Sequence, residues 1–580
     1  MTSSLTTKVP SAILRITNGY SYLKNVDSMV MDAIRSKLTF TLPKANFVRF
    51  KTGAPKFNPS VSFITPKTGR FATGLLPIIS LYLREMNVDC QRIDERNPLP
   101  NLYSNWDYSK VLPGDEDLTT IPSTIIQDTK KGKKKSTTTS TTTTIKKKKK
   151  LILDDDEEPT RLFDLQTQDL EPKQVDESLL SPKVTLHDYQ VESINFALSN
   201  HRGIIKCATG GGKTLILASL IKAIGSNVET VILVTKRSLI TQIYETLVNT
   251  GVCTPGRIST DYNEPNTVTI ATLQSVHKIQ DLCKDAKVLL VDEVHEFGSP
   301  TAKKAFELFD NAYARFGFSA TPFKIDNPVH NHKITSTFGT LLCDISTKSL
   351  TDINILSKAN IHFYPIKYPI AKHLNLPKSH IYQDMENVFL AENDYLNESI
   401  AKLVDDIPTG RIMILVKRLS QGDALAKLIP SAYWVKGDDN VETREYVLHK
   451  LKYSTGTKVV AIFSSIGYVG LDVRVHHLIN ASGGRDPNTT LQKLGRGLRK
   501  ADDKEFLDYH DFYFDIKVNK HLEAHSSSRI NVLKKEGHSL IMEKEILPPP
   551  PPPPHIITKT NKKQQKDKDK EEEKEEEEKL

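Results

Sequence analysis

"CATGGGKTLILASLIKAI", Cys207–Ile224, takes over where the apolar run "GIIKC", Gly203–Cys207, ends. The order is strand, glycine-rich loop, helix, and it aims backbone N–H groups and a helix N-terminus at one point. Thr209, Gly210, Gly211 and Gly212 form a loop whose glycines leave the backbone free to close around phosphate oxygens. Lys213 is placed to reach the outer phosphates as a point charge, and Thr214 to offer its hydroxyl to Mg²⁺. The general pattern begins with a glycine where this chain has Cys207, so the match is imperfect. The bland alternative is a glycine-rich turn capping a buried helix. The loop indicates a nucleoside triphosphate and leaves open what that nucleotide drives.

The surrounding chain narrows the question. Its 580 residues suffice for three or four domains. No run of about eighteen apolar residues occurs, so no membrane partner is expected. Five cysteines without a Cys-x-x-Cys pair argue against a zinc site or a disulfide framework and for a reducing compartment. The net charge of +9 suits a polyanionic partner.

Composition divides the sequence into five expected segments: 1–110, 111–181, 182–357, 358–546 and 547–580. The first reads as a small α/β accessory domain. The second holds "TKKGKKKSTTTSTTTTIKKKKK", Thr129–Lys150, then "DDDEE", and lacks the apolar surface to fold, so a disordered linker is expected. The ten lysines between Lys130 and Lys150 read as a nuclear localisation signal, a nonspecific polyanion tether or a solvated spacer. The nucleus is the favoured location, with a mitochondrial presequence as the alternative, because Lys8, Arg15 and Lys24 precede the first acid, Asp27. The last segment joins Pro548–Pro554 to a Lys/Glu-rich tail, and is read as a spacer.

Between them, short apolar runs alternate with helical patterns: "TVILVT", "TVTIAT", "KVLLVD" and "RFGFSA", then "RIMILV", "KVVAIF", "HHLINA" and "DFYFDI". That alternation predicts parallel sheets flanked by helices, in two α/β lobes parted near Ser357–Pro365. "KVLLVDEVHEFGS" sets Asp292 and Glu293 at the end of an apolar strand. One carboxylate there can hold Mg²⁺ and the next can orient and deprotonate an attacking water. In "LQKLGRGLRK", Gln492, Arg496 and Arg499 put two guanidiniums three residues apart, expected on one helix face. Arginines near a γ-phosphate stabilise the charge that spreads in the transition state.

The ordered set resembles the superfamily 2 helicases and translocases, and among them the phage UvsW-type and XPB-like branches, over nearly all of 182–546. "LHDYQVESI" is similar to the family's adenine-reading Gln motif, which implies that role for Gln190. "VTKRSLITQ" and "ATLQSV" resemble motifs Ia and Ib, implying nucleic-acid contacts from Thr235, Lys236, Thr272 and Gln274, with Arg237 beside them. "FSATP" is similar to motif III, implying coupling through Ser319 and Thr321. "ILVKRLSQGDAL" and "FSSIGYVGLDV" resemble motifs IV and V, implying strand contacts from Lys417 and Ser464 and nucleotide contacts from Gly470 and Asp472. The implied fold is two tandem RecA-like domains, with ATP and Mg²⁺ as cofactors.

Asp-Glu-Val-His and Gln492 depart from the RNA-unwinding DEAD-box pattern and favour DNA, single-stranded, duplex or branched, over RNA. Two readings compete with a DNA helicase or translocase: an RNA-directed motor, and an ATP-gated clamp without strand separation. The N-terminal stretch Gly69–Arg96 resembles the phage-type accessory domain. Across the wider segment Ile13–Tyr108, Lys44, Arg49, Lys51, Lys56, Lys67 and Arg70 stand among Phe47, Phe50, Phe57, Phe63 and Phe71. This mixture suits a surface that meets phosphates and stacks on bases. The competing expectation is that the phenylalanines form the domain's own core.

Overall fold

The computed structural model describes residues 12–42, 60–96, 185–324, 327–366, 386–437, 439–464, 473–515 and 520–546. The Lys/Thr tract, the proline run, Gly470 and Asp472 lie outside them, as do Lys44, Arg49, Lys51 and Lys56 with Phe47, Phe50 and Phe57.

Two large sheets dominate. The first has eight strands, and the phosphate-loop strand Arg202–Cys207 sits between Ala314–Ser319 and Leu341–Ile345. All its pairings are parallel except that of the two short edge strands Gly256–Ile258 and Asn263–Glu264. Its central strands Thr230–Val234, Val268–Thr272 and Val288–Asp292 are buried at every residue, because helices cover both faces. That double burial explains why those runs read as continuously apolar rather than alternating.

The second sheet has seven strands, all parallel, with Arg411–Val416 between Val459–Ser464 and His477–Asn480. The chain passes to it at Lys358, the first residue of a strand that runs to Ile366 and pairs with Phe506–Phe514. The stretch around Ser357–Pro365 is therefore itself mostly strand. Parallel sheets place all their C-terminal strand ends on one edge, where loops can gather functional groups.

The N-terminal residues build a four-stranded sheet and a two-stranded one. Their core encloses Leu14, Ile16, Ile79 and Phe71, which is 2% exposed. Phe71 is thus a core residue and not a base-stacking platform. Phe63 is half-buried, 5.5 Å from the ring of His332 in the first large-sheet lobe, and Phe40 stacks on the same ring at 3.9 Å. Arg70 is exposed and lies over the Tyr20 ring at 3.6 Å.

This domain is bolted to the first lobe. The buried guanidinium of Arg202 donates to the carbonyls of Ala312 at 3.2 Å, Thr337 at 3.4 Å and Asn18, the last from the N-terminal domain. Such a buried cation is tolerable because carbonyl oxygens surround it. Among the described residues, no helix is long and apolar enough to cross a membrane.

Candidate nucleotide cleft

The phosphate loop owes its shape to Gly212. Its φ of +79° is a left-handed conformation, and a Cβ there would lie 2.3 Å from Gln190 Nε2. The helix Lys213–Ile224 starts at once behind it. Cys207 is fully buried, with burial pushing its thiol up to about 12, so it acts as a small apolar filler beneath the loop.

Gln190 is 2% exposed. Its side-chain oxygen accepts from the backbone N–H of His187 at 3.0 Å, and its amide nitrogen donates to Gly211 O at 3.3 Å. It braces the phosphate loop, with both ends of its amide engaged within the chain.

Lys213 Nζ lies 3.4 Å from Cys207 O and 3.8 Å from Glu293 Oε1. Glu293 has a φ of +50°, a strained conformation for a residue with a Cβ, and leads into the turn Val294–Glu296. Burial pushes Asp292 up to about 7, with the neighbouring Glu293 carboxylate adding to the rise. Burial works in the same direction on Glu293, but Lys213 and the His295 hydrogen bond outweigh it and bring it down to about 2. Glu293 thus holds the first negative charge of the pair, and added positive charge at the site favours ionisation of Asp292 as well.

Around this pair runs a short network. His295 Nδ1 is 2.8 Å from Ser319 Oγ and 3.3 Å from Glu293 Oε2, while Ser319 Oγ donates to Glu293 Oε2 at 3.3 Å. The amide of Gln492 lies 3.4 Å from His295 Nε2, and Asn488 donates to Thr321 O at 3.3 Å. Both Gln492 and Asn488 belong to the helix Pro487–Gly497 of the second lobe. With Nε2 accepting from Gln492, Nδ1 carries the proton and faces Glu293 and Ser319.

Gly495 lets this helix settle on the phosphate loop, since a Cβ there would stand 2.7 Å from Thr209 Cβ. Arg496 is 8% exposed and its charge acts on Glu293. The helix ends at Gly497, so Arg499 is not on it, and the expected single helix face for both arginines is corrected. Two glycines near the helix end disfavour its continuation. Past that end, Ser357 N donates to Leu498 O at 2.8 Å, and Arg499 bridges to Leu356. The buried ammonium of Lys504 donates to Gly497 O and Arg499 O, stabilising the helix C-terminus. The Arg499 side chain still borders the loop, its Cγ 3.7 Å from where a Cβ on Gly210 would be.

The other expected contacts are less uniform. Thr235 and Lys236 are both partly exposed, and Gln274 is exposed. Thr272 is 5% exposed and its hydroxyl bonds Ser275 Oγ at 2.9 Å. Lys417 bonds both oxygens of Glu386 at 2.7 Å. Ser464 and Ser319 are buried. Sequence reasoning missed the bracing by Lys504, which stands in no motif, and undervalued His295, whose importance comes from a partner 197 residues away.

Comparison with known proteins agrees with this arrangement. Residues 183–324 match the family model for the type III restriction enzyme res subunit. The DNA 3'-5' translocase XPB2 of Sulfurisphaera tokodaii is 24% identical over 368 residues, spanning 57% of this chain and 82% of that protein. The ATP-dependent DNA helicase uvsW of Enterobacteria phage T4 is 25% identical over 341 residues, spanning 56% of this chain and 67% of the relative. The chain thus resembles the superfamily 2 helicases over more than half of its length. Its two large sheets follow one another along the chain, as the expectation of two tandem RecA-like domains requires. The crystal structure of T4 UvsW aligns over 92% of this chain and 99% of its own, with a TM-score of 0.39 and 17% identity.

Proposed function

We propose that the chain is an ATP-driven DNA motor, a helicase or translocase that couples hydrolysis to movement on DNA or to its remodelling. The observation that carries this reading is the meeting of the two lobes over one site. Gln492 of the second lobe touches His295 of the first, and Gly495 rests on Thr209 of the phosphate loop. A site completed from two lobes is made and broken by their relative motion. The relatives named as a DNA translocase and a DNA helicase supply the choice of DNA over RNA.

The residues fit ATP with Mg²⁺. A glycine-rich backbone, a lysine and a helix N-terminus suit the phosphates, and Mg²⁺ commonly needs only one or two protein ligands beside phosphate and water. Thr214 and Asp292 would hold the ion, which when bound neutralises charge on the β- and γ-phosphates. Glu293 accepts the proton of the attacking water, and His295 with Ser319 fixes its carboxylate. Arg496 and Arg499 face the charge that develops on the γ-phosphate as the lobes close. Thr235, Lys236 and Arg237 offer donors to the phosphodiester backbone, which predicts little sequence preference and strong salt dependence.

ATP turnover measured with single-stranded, duplex, forked and four-way DNA, with RNA alongside, tests the proposal. Stimulation by DNA well above that by RNA is the expected result. Stimulation by RNA alone would replace it with the RNA-directed reading, and ATP-dependent binding without turnover with the clamp.

A further inference from the structure

The turn that follows the acidic box carries a second acid, and its partners lie elsewhere. Glu293 reaches Lys213 of the phosphate loop at 3.8 Å. Three residues on, Glu296 accepts a hydrogen bond from the Thr235 hydroxyl and lies 3.8 Å from Lys236 Nζ. Thr235 and Lys236 stand directly after the fully buried strand Thr230–Val234, on the loop proposed to meet the nucleic-acid backbone. One short turn therefore joins two acid-held lysines, one waiting for a nucleotide phosphate and the other for a backbone phosphate.

Between the two acids, the turn has little freedom. Val294 is fully buried, and its side chain packs where a Cβ on Gly317 would come within 2.8 Å. His295 is held by Ser319 and Gln492. Glu293, at its head, is already in a strained conformation with φ +50°. A shift of Glu296 cannot be absorbed by a flexible spacer, and so it is felt at Glu293.

We propose that Glu296 is a positioning residue that links occupancy of the nucleic-acid track to the hydrolytic carboxylate. Without nucleic acid it holds Thr235 and Lys236. A backbone phosphate competes for the same two donors, and on binding releases the carboxylate. The Val294–Glu296 turn then resets, and Glu293 with it. By linkage, whatever phosphate binding gains from the released turn, the nucleotide site gains equally. This rests on the DNA-motor reading given above.

The test compares Glu296→Gln, which keeps the side-chain shape but drops the charge, with Glu296→Ala, which also removes the acceptor. Asp261→Asn is the control: Asp261 pairs with Arg237 at 3.0 Å in the same region but does not belong to the acidic turn. Binding of a fluorescent single-stranded oligonucleotide without nucleotide, and ATP turnover with and without saturating DNA, are measured on the full chain. Both Glu296 variants should bind DNA about two- to fivefold more tightly, as loss of a partly exposed ion pair allows. Their ratio of DNA-stimulated to basal turnover should fall about threefold or more, while that of Asp261→Asn stays at the wild-type value. In a double-mutant cycle with Lys236→Met, the affinity effects should be non-additive.

Tighter binding with an unchanged stimulation ratio would reduce Glu296 to a surface charge and overturn the proposal. A wild-type protein that neither binds nor responds to DNA would instead remove the DNA-motor reading, before any variant is made. The two failures are thus told apart.

Discussion

Lys213 and Lys493 are two lysines at the strand-end edges of two parallel sheets, and they are used in opposite ways. Lys213 has contacts of 3.4 and 3.8 Å, long enough to be exchanged for a ligand. Lys493 is 3% exposed and donates to Asn480 Oδ1 at 2.9 Å, Ser482 Oγ at 2.6 Å and Gly483 O at 3.0 Å. Burial, with Arg529 nearby, brings Lys493 down to about 7. Beside it Arg529 makes a bidentate ion pair with the fully buried Asp511, Nε and Nη2 each at 2.9 Å. Lys213 leaves its charge available, whereas Lys493 uses its own to hold the arginine-bearing helix to the sheet. A lysine's chemistry is thus set by how completely its donors are satisfied.

That contrast makes Lys213→Ala the most damaging change. It should leave ATP turnover at background, as measured by phosphate release with saturating DNA, while the thermal midpoint barely moves. Glu293→Gln should retain nucleotide binding and lose turnover. Normal turnover in both would end the hydrolase reading.

Arg499→Ala comes next, with turnover down by roughly a thousandfold if it serves as an arginine finger. Binding of DNA without nucleotide should hardly change. A loss of binding with turnover intact would move Arg499 from the γ-phosphate to the track.

On the buried side of the comparison, Arg529→Ala should cost about 3–5 kcal/mol of stability, because it strands a buried carboxylate. The double change Asp511→Leu, Arg529→Met should recover part of that loss, since no carboxylate is left stranded, while Asn480, Tyr509 and Phe512 N lose an acceptor. Denaturant unfolding followed at the second lobe distinguishes the two. Equal losses in both would mean that the ion pair itself, and not the stranded charge, sets the cost.

How much of this was legible in the sequence follows from where each signal lives. The phosphate loop and the acidic box are local patterns on doubly buried strands, so spacing and apolarity reveal them. The strands Gly256–Ile258, Tyr433–Val435 and Leu540–Met542 are short, at a sheet edge or next to one, and their patterns are too weak to predict. Arg499 was expected on a helix that in fact stops two residues earlier, where Ser357 and Lys504 take up the carbonyls. Phe71 carries the same letter whether it stacks on a base or fills a core, and only its 2% exposure decides. Lys493 lies inside the motif that was read for its arginines, yet nothing local marks it as the residue that anchors the helix. Its partners come from a loop some ten residues upstream and from a sheet that must first form.

The smallest effect is expected at Arg237, the exposed counterpart of the buried Arg529. Its guanidinium pairs with Asp261 at 3.0 Å, with side-chain exposures of 65% and 54%. An ion pair so open to water contributes about 0–1 kcal/mol, because solvent and salt screen it. Arg237→Ala should therefore leave unfolding almost unchanged. If the loop after Thr230–Val234 meets DNA phosphates, the same change should weaken DNA binding at every sequence alike. The slope of log affinity against log salt should also fall by about one. Titrations at several salt concentrations, on two unrelated oligonucleotides, measure both. An unchanged slope would place Arg237 off the track and leave Thr235 and Lys236 as the contacts of that loop. A loss confined to one sequence would mean base contact instead, against the backbone-only reading of the whole first lobe.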